Sequence, residues 1–274
     1  MNWAFLGIIF IAALVCSCMG FKRFVWFLSI GYGYAVAGIA VVSIIYGLAT
    51  KSIYPALIIG FIVCAAYGIR LGTFLLKREL GNKAYKKVLD TKVGSEPPMF
   101  VKIIVWPLVG VLYVCQTAGL HFRMTNGIGA DACLYIGIII MIIGAVVEAM
   151  SDKQKSAQKA ERPDMVAMKG LFKLVRCPNY LGEILFWTGV TVSGITAYRG
   201  ILQWVAALLG YVCIVYIMVD GAKRLEQGHI SRYGDKEEYI KYSESTPILI
   251  PFIPLYHLYD PAKDKKKKEK KDDK

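Results

Sequence analysis

Apolar runs about as long as a bilayer is thick leave this chain few options. Hydrocarbon is ~30 Å deep and a helix rises ~1.5 Å per residue, so about 20 predominantly apolar residues make a crossing. Runs of that length, or nearly so, occur at Trp3–Met19, Phe24–Ala49, Tyr54–Leu76, Val101–His121, Cys133–Met150, Leu181–Tyr198 and Ile201–Val219. The sequence therefore predicts an all-α polytopic membrane protein with seven transmembrane helices. A hydrophobic content of 56% agrees, being well above that of a soluble globular domain. Tyr198–Gly200 alone separates the last two runs, which predicts a tight helical hairpin. Asp131 sits just ahead of the fifth run in a short polar turn with Asn126, Gly127 and Gly129.

A formal net charge of +13 would suit a nucleic-acid binder, but its placement argues for a membrane. Basic residues crowd alternate loops. Lys22 and Arg23 follow the first run, and Lys77, Arg78, Lys83, Lys86, Lys87 and Lys92 follow the third. Lys153, Lys155, Lys159, Arg162, Lys169, Lys173 and Arg176 follow the fifth, and a basic tail follows the seventh. The other loops hold little beyond Lys51, Arg123 and Arg199. By the positive-inside rule this alternation sets the N-terminus outside and the C-terminus in the cytoplasm. The membrane would be the plasma membrane in a prokaryote and the endoplasmic reticulum in a eukaryote.

Residues 1–260 read as one seven-helix domain, and 261–274 as a lysine-rich, disordered cytoplasmic tail attracted to lipid headgroups. The first run has no basic n-region, which favours a span over a cleaved signal. Seven cysteines lie mostly within apolar runs without paired metal spacing, so they read as small buried residues, and no metal is expected.

Polar groups at the ends of these runs carry the functional signal. GLFKLVRCPNYLGE, Gly170 to Glu183, leads from a basic loop into an uncharged helix and puts Arg176, Asn179, Tyr180 and Glu183 within eight residues. A carboxylate and an amide at such a mouth are costly unless something polar binds there. Glu148, Asp152, Lys155 and Lys159 follow spacings of 4, 3 and 4 and share one helical face. That face is either a ligand wall or a salt-bridge ladder. Tyr67 and Arg70 lie three apart on the third run, where Arg70 reads equally well as a snorkelling side chain. Asp220, Lys223, Arg224, Glu226 and His229 follow the seventh run, with His229 read as a surface residue. Gln116 reads as an interhelical hydrogen bond. Such groups suit an anionic cofactor entering from the cytoplasm to meet a lipophilic substrate from the bilayer. No G-x-G-x-x-G after a strand, P-loop or H-E-x-x-H occurs, so a nucleotide would be held in a helical bundle.

EAMSDKQ, GLFKLVRCPNYLGEILFWTG and RYGDKEEYIKYSESTPILIPF together resemble the C-terminal half of the steroid 5-alpha-reductase family, over about residues 60–255. The nearest branch is an uncharacterised, mostly microbial one. The resemblance implies seven transmembrane helices and NADPH as cofactor. It also implies reduction of a carbon–carbon double bond conjugated to a carbonyl in a lipid. Tyr67 would hydrogen-bond the substrate carbonyl. Asp152 would bind the cofactor and Lys159 its phosphate. Asn179 and Glu183 would hold the nicotinamide end, with Glu148 adding to the wall and Arg176, Tyr180 and Arg224 completing the cofactor site.

Two departures qualify this. No acidic residue precedes Glu79, where the animal steroid enzymes carry a glutamate for the 3-keto group, so a steroid is the weaker substrate expectation. Met165 stands where those enzymes have an arginine, which Arg162 could replace in reading the NADPH phosphate. An Arg-x-Pro-x-Tyr-x-Gly entry is also shared with isoprenylcysteine carboxyl methyltransferases, although Cys177 replaces their usual histidine. An S-adenosylmethionine-dependent methyltransferase and a non-catalytic lipid-binding protein thus remain alternatives.

Overall fold

The structure, a computed structural model, describes residues 2–81 and 96–259. Lys83, Lys86, Lys87 and Lys92 and the lysine-rich tail lie outside the described residues. Among these, nine α-helices and no strands occur: α1 (Trp3–Ser17), α2 (Ile30–Ala49), α3 (Pro55–Gly81), α4 (Met99–Gln116), α5 (Ala118–Thr125), α6 (Ala132–Glu161), α7 (Pro178–Gly194), α8 (Ile201–Tyr233) and α9 (Glu237–Ser245). Six are long and apolar enough to cross a membrane: α1 with its 3-10 extension to Phe21, α2, α3, α4, α6 and α8. The protein is a multi-pass membrane protein. At 17 residues, α7 is shorter than these six.

Local chemistry sets the helix ends. The Asn2 side chain caps α1 by accepting from the Phe5 N–H at 3.0 Å. Pro55 and Pro178 occupy first-turn positions, where a missing N–H costs nothing. The fourth run, expected unbroken from Val101 to His121, stops at Gln116. Thr117 Oγ donates to the carbonyls of Tyr113 (3.2 Å) and Val114 (3.0 Å), competing with the helical ladder, and α5 starts anew beyond it. The hairpin between α7 and α8 spans residues 195–200 and turns at Gly200, φ +88°.

The chain forms two compact units, one of Met1–Ile142 with Trp187–Cys213, the other of Ile143–Phe186 with Ile214–Lys274. In the first, α2 and α3 meet backbone to backbone. A Cβ at Gly68 would fall 2.4 Å from the Gly33 carbonyl oxygen, so small residues permit this seam. At one end Glu79 is buried, taking Arg23 at 2.6 Å and the Trp26 indole at 2.7 Å. Elsewhere in this unit Arg123, 0% exposed, donates to the Ser193 carbonyl (2.8 Å), the Gly129 carbonyl (2.5 Å), Thr196 (2.6 Å) and Asp131 (3.0 Å). A residue read as a loop charge is therefore a packed hub.

Candidate functional site

The second unit contains Glu148, Asp152, Lys159, Arg176, Asn179, Tyr180, Glu183 and Arg224. Its centre is a close crossing of α6 and α7. A Cβ at Gly182 would lie 2.6 Å from the Glu148 amide nitrogen and 2.8 Å from both Glu148 Cβ and the Gly144 carbonyl oxygen. The glycine of NYLGE thus lets α7 rest on the α6 backbone at Glu148, while Glu183 follows directly in the chain. Both carboxylates are buried, Glu148 at 2% and Glu183 at 7% exposure. Asn179 lies one turn before Glu183. Its Oδ1 is buried and lacks a hydrogen-bond partner among the described residues.

The loop from 162 to 177 is tied down at both ends. Gln158 Oε1 accepts from the Met168 and Lys169 amides at 2.9 and 2.8 Å, and Gln154 Oε1 accepts from the Leu171 amide at 2.9 Å. Gly170 adopts φ +69°, and a Cβ there would strike the Gln154 amide at 2.4 Å, so this position excludes side chains twice over. Arg162 forks onto Glu238 at 3.0 and 2.9 Å. Lys236 pairs with Asp164 at 3.0 Å. These exposed partners hold the Glu238 and Asp164 carboxyls below the usual carboxylate range.

At the other end of the loop, the Arg176 and Cys177 amides donate to the carbonyls of Pro247 (2.8 Å) and Ile248 (2.9 Å). The Arg176 guanidinium donates to Glu226 at 2.9 Å and to the Tyr256 carbonyl. Glu226, 2% exposed, also takes His257 at 2.9 Å and the amides of Leu258 (2.8 Å) and Tyr259 (2.9 Å). Burial pushes the Cys177 thiol up to about 12, which leaves it a packing residue rather than a nucleophile.

The remaining candidates are differently placed. Lys159 donates to the Tyr233 hydroxyl at 2.9 Å and the Pro163 carbonyl at 3.2 Å. Asp152 is half-buried on the same α6 face. The Tyr180 ring would touch a Cβ added to Gly221 of α8 at 3.4 Å. Arg224 is 68% exposed and pairs with Asp220 at 3.1 Å. Tyr67 belongs to the first unit and is buried, its ring edge-on to Trp187 with centroids 6.2 Å apart. Arg70 lies 5.8 Å over that ring, and Trp187 donates to the Tyr32 hydroxyl at 2.5 Å.

Sequence reasoning passed over Gln154, Gln158, Trp187 and the central role of Glu226. Gln154 and Gln158 are one turn apart on α6, a spacing that marks a shared face. Glu226 carries no local signal distinguishing it from its charged neighbours.

A multi-pass helical membrane protein with buried carboxylates and an amide at a helix crossing is the class that fold and site define. A sequence profile of the family described as "Protein of unknown function (DUF1295)" matches residues 20–246, and the chain belongs to that family. It is a steroid 5-alpha-reductase-like family. The chain is 32% identical over 122 residues to a very-long-chain enoyl-CoA reductase of Dictyostelium discoideum, covering 44% of this chain and 36% of that protein. It is 29% identical over 123 residues to steroid 5-alpha-reductase DET2 of Arabidopsis thaliana, covering 43% and 41%. It is 28% identical over 123 residues to 3-oxo-5-alpha-steroid 4-dehydrogenase 1 of Rattus norvegicus, covering 44% and 42%. These matches span less than half the length of the relatives. No solved structure matches.

Proposed function

We propose that the protein is a membrane reductase that uses NADPH to reduce a carbon–carbon double bond conjugated to a carbonyl in a lipophilic substrate. The reading takes α7 as a seventh span, with the N-terminus outside and the C-terminus cytoplasmic, as the distribution of Lys and Arg favours. Its main support is the buried Asn179 Oδ1 at the Gly182–Glu148 crossing. An orphaned buried acceptor costs about 1–3 kcal/mol, a cost that a bound donor removes. A nicotinamide carboxamide and ribose hydroxyls supply such donors, so the residues present fit the group.

Asn179, Glu183 and Glu148 would hold the nicotinamide end, Asp152 a ribose, and Lys159 a phosphate. Tyr180 would wall the site. When bound, the cofactor supplies a hydride equivalent to the β-carbon. Tyr67 would hold a proton at its phenolic oxygen and donate a hydrogen bond where charge develops on the carbonyl, which is worth most in a dry site. Arg176, tied to Glu226, would brace the loop leading into the helix that carries Asn179, and exposed Arg224 would meet only the outer end of a ligand.

Thermal unfolding of the purified protein in detergent, with NADPH or S-adenosylmethionine, tests this. Stabilisation by NADPH is expected, about 2.7 kcal/mol at 100 times Kd, and its loss in Glu183→Gln and Asp152→Asn. A response to S-adenosylmethionine instead would make the protein a methyltransferase. Tyr67→Phe is expected to abolish enone reduction and retain NADPH binding. Loss of binding in that variant would remove the role given to Tyr67.

A further inference from the structure

We infer that the segment Ile250–Leu255 is an interfacial anchor that inserts into the headgroup–acyl boundary of the bilayer the chain spans. It lies within PILIPFIPLYHLY, thirteen residues from Pro247 to Tyr259 without an Asp, Glu, Lys or Arg. Most of its apolar side chains point away from the protein. Phe252 is 95% exposed, and Ile250, Ile253 and Leu255 are also exposed. Phe252 holds φ +65°, a conformation that aromatic residues rarely adopt, so the backbone is strained where its largest apolar group is displayed. Exposed apolar clusters of this kind mark an interaction surface.

Two observations identify the bilayer as the occupant. The hydrogen bonds from the Arg176 and Cys177 amides to the Pro247 and Ile248 carbonyls pin the segment's start beside Pro178, where α7 begins. The segment therefore sits at the level at which that helix enters the membrane. Exposed Lys173 and Leu174 share with Pro247, Phe252, Ile253 and Tyr256 a cleft of about 270 Å³. A lysine beside exposed aliphatic and aromatic groups, with Tyr256 and Tyr259 close by, matches the composition of interfacial anchors. Glu226 fixes the far end of the segment through Leu258 and Tyr259. The inference rests on α7 being a span but is independent of the reductase chemistry.

The test places a tryptophan at Phe252 in the full chain, reconstituted in phosphatidylcholine–phosphatidylglycerol vesicles with or without brominated acyl chains. Fluorescence of the parent, with its five tryptophans, is subtracted. Quenching of the parent by bromolipid establishes insertion, so a missing difference signal bears on the segment alone. The expected difference emission is blue-shifted, loses most of its intensity to bromolipid and resists aqueous acrylamide. Emission quenched by acrylamide but not by bromolipid would overturn the proposal. Resistance to both quenchers would also overturn it, because a protein surface, such as a second copy of the chain, would then cover the segment. If Phe252→Trp does not fold, Leu255→Trp reads the same boundary.

Discussion

A single methyl group at Gly182 tests whether the α6–α7 crossing builds the cofactor site. In Gly182→Ala the new Cβ would lie 2.6 Å from the Glu148 amide nitrogen and 2.8 Å from the Gly144 carbonyl oxygen. Ordinary contact begins near 3.4 Å, so the helices must part by about 0.6 to 0.8 Å, the differences 3.4 − 2.8 and 3.4 − 2.6. Every closest atom but Glu148 Cβ is backbone, so no rotamer change relieves the clash. Overpacking of this kind costs about 1–3 kcal/mol. Binding should suffer more than folding, because the shift moves Glu148 relative to Asn179 and Glu183. Sites of this type tolerate about 0.5 Å, and an error of about 1 Å costs on the order of 100-fold in catalytic rate.

The assay compares thermal unfolding with and without NADPH, and NADPH affinity by calorimetry, against Gly7→Ala. Gly7 has nothing within 4 Å of an added Cβ, and alanine there gains up to about 1 kcal/mol of helix propensity. The expected result is a drop in Tm and at least a tenfold loss of NADPH affinity in Gly182→Ala, with neither in Gly7→Ala. A Gly182→Ala protein that unfolds and binds NADPH like the parent would refute the reasoning.

Glu226→Gln leaves Arg176 buried against a neutral amide. Breaking a buried pair costs about 3–5 kcal/mol, so a large fall in Tm is expected, with new protease cleavage between 247 and 259. An unchanged Tm with continued protection would show that Glu226 is not the clamp. Asp131 contributes to the acid limb of stability. Burial raises its pKa, but the Thr196 hydroxyl, the Leu134 amide and Arg123 outweigh burial and hold it below the ordinary aspartate value. Its contribution is therefore present above the unfolded-state pKa and lost as pH falls through the folded one. Asp131→Asn should lower Tm at neutral pH and flatten its decline below about pH 4; an acid limb as steep as the parent's would count against this.

The spans were legible because hydropathy is additive along a helix. α1, α3, α6 and α8 start within a residue of where their runs predict, with α3, α6 and α8 extending further, whereas α2 starts only at Ile30, after a 3-10 turn at Phe24–Leu28. Burial of charge was not legible, since it depends on partners distant in sequence. Arg123 looked like a loop residue, yet two of its partners, Ser193 and Thr196, lie 70 and 73 positions away. Glu79 follows Lys77 and Arg78 just past the third run, yet it is sealed by Arg23 and Trp26, more than fifty positions away. The break at Thr117 was hidden because a threonine inside an apolar run scores as tolerable, and only the carbonyls above it show that it competes with the ladder.

The motif from Arg176 to Glu183 shows most sharply what a sequence pattern conveys. Its residues are adjacent in sequence but work at two levels. Arg176 bonds to Glu226 and Tyr256, and its amide pairs with Pro247, so it fixes where the loop ends and α7 begins. Gly182 sets how closely α7 approaches Glu148. Between them Asn179 keeps a buried acceptor unsatisfied. A purely structural motif would satisfy or remove that acceptor, because its burial costs free energy and braces nothing. Asn179→Leu should therefore leave Tm unchanged or raised in the absence of NADPH and abolish the stabilisation that NADPH gives. A fall in Tm without ligand would mean that Asn179 is bonded within the fold, and the case for a ligand at this crossing would lose its main support.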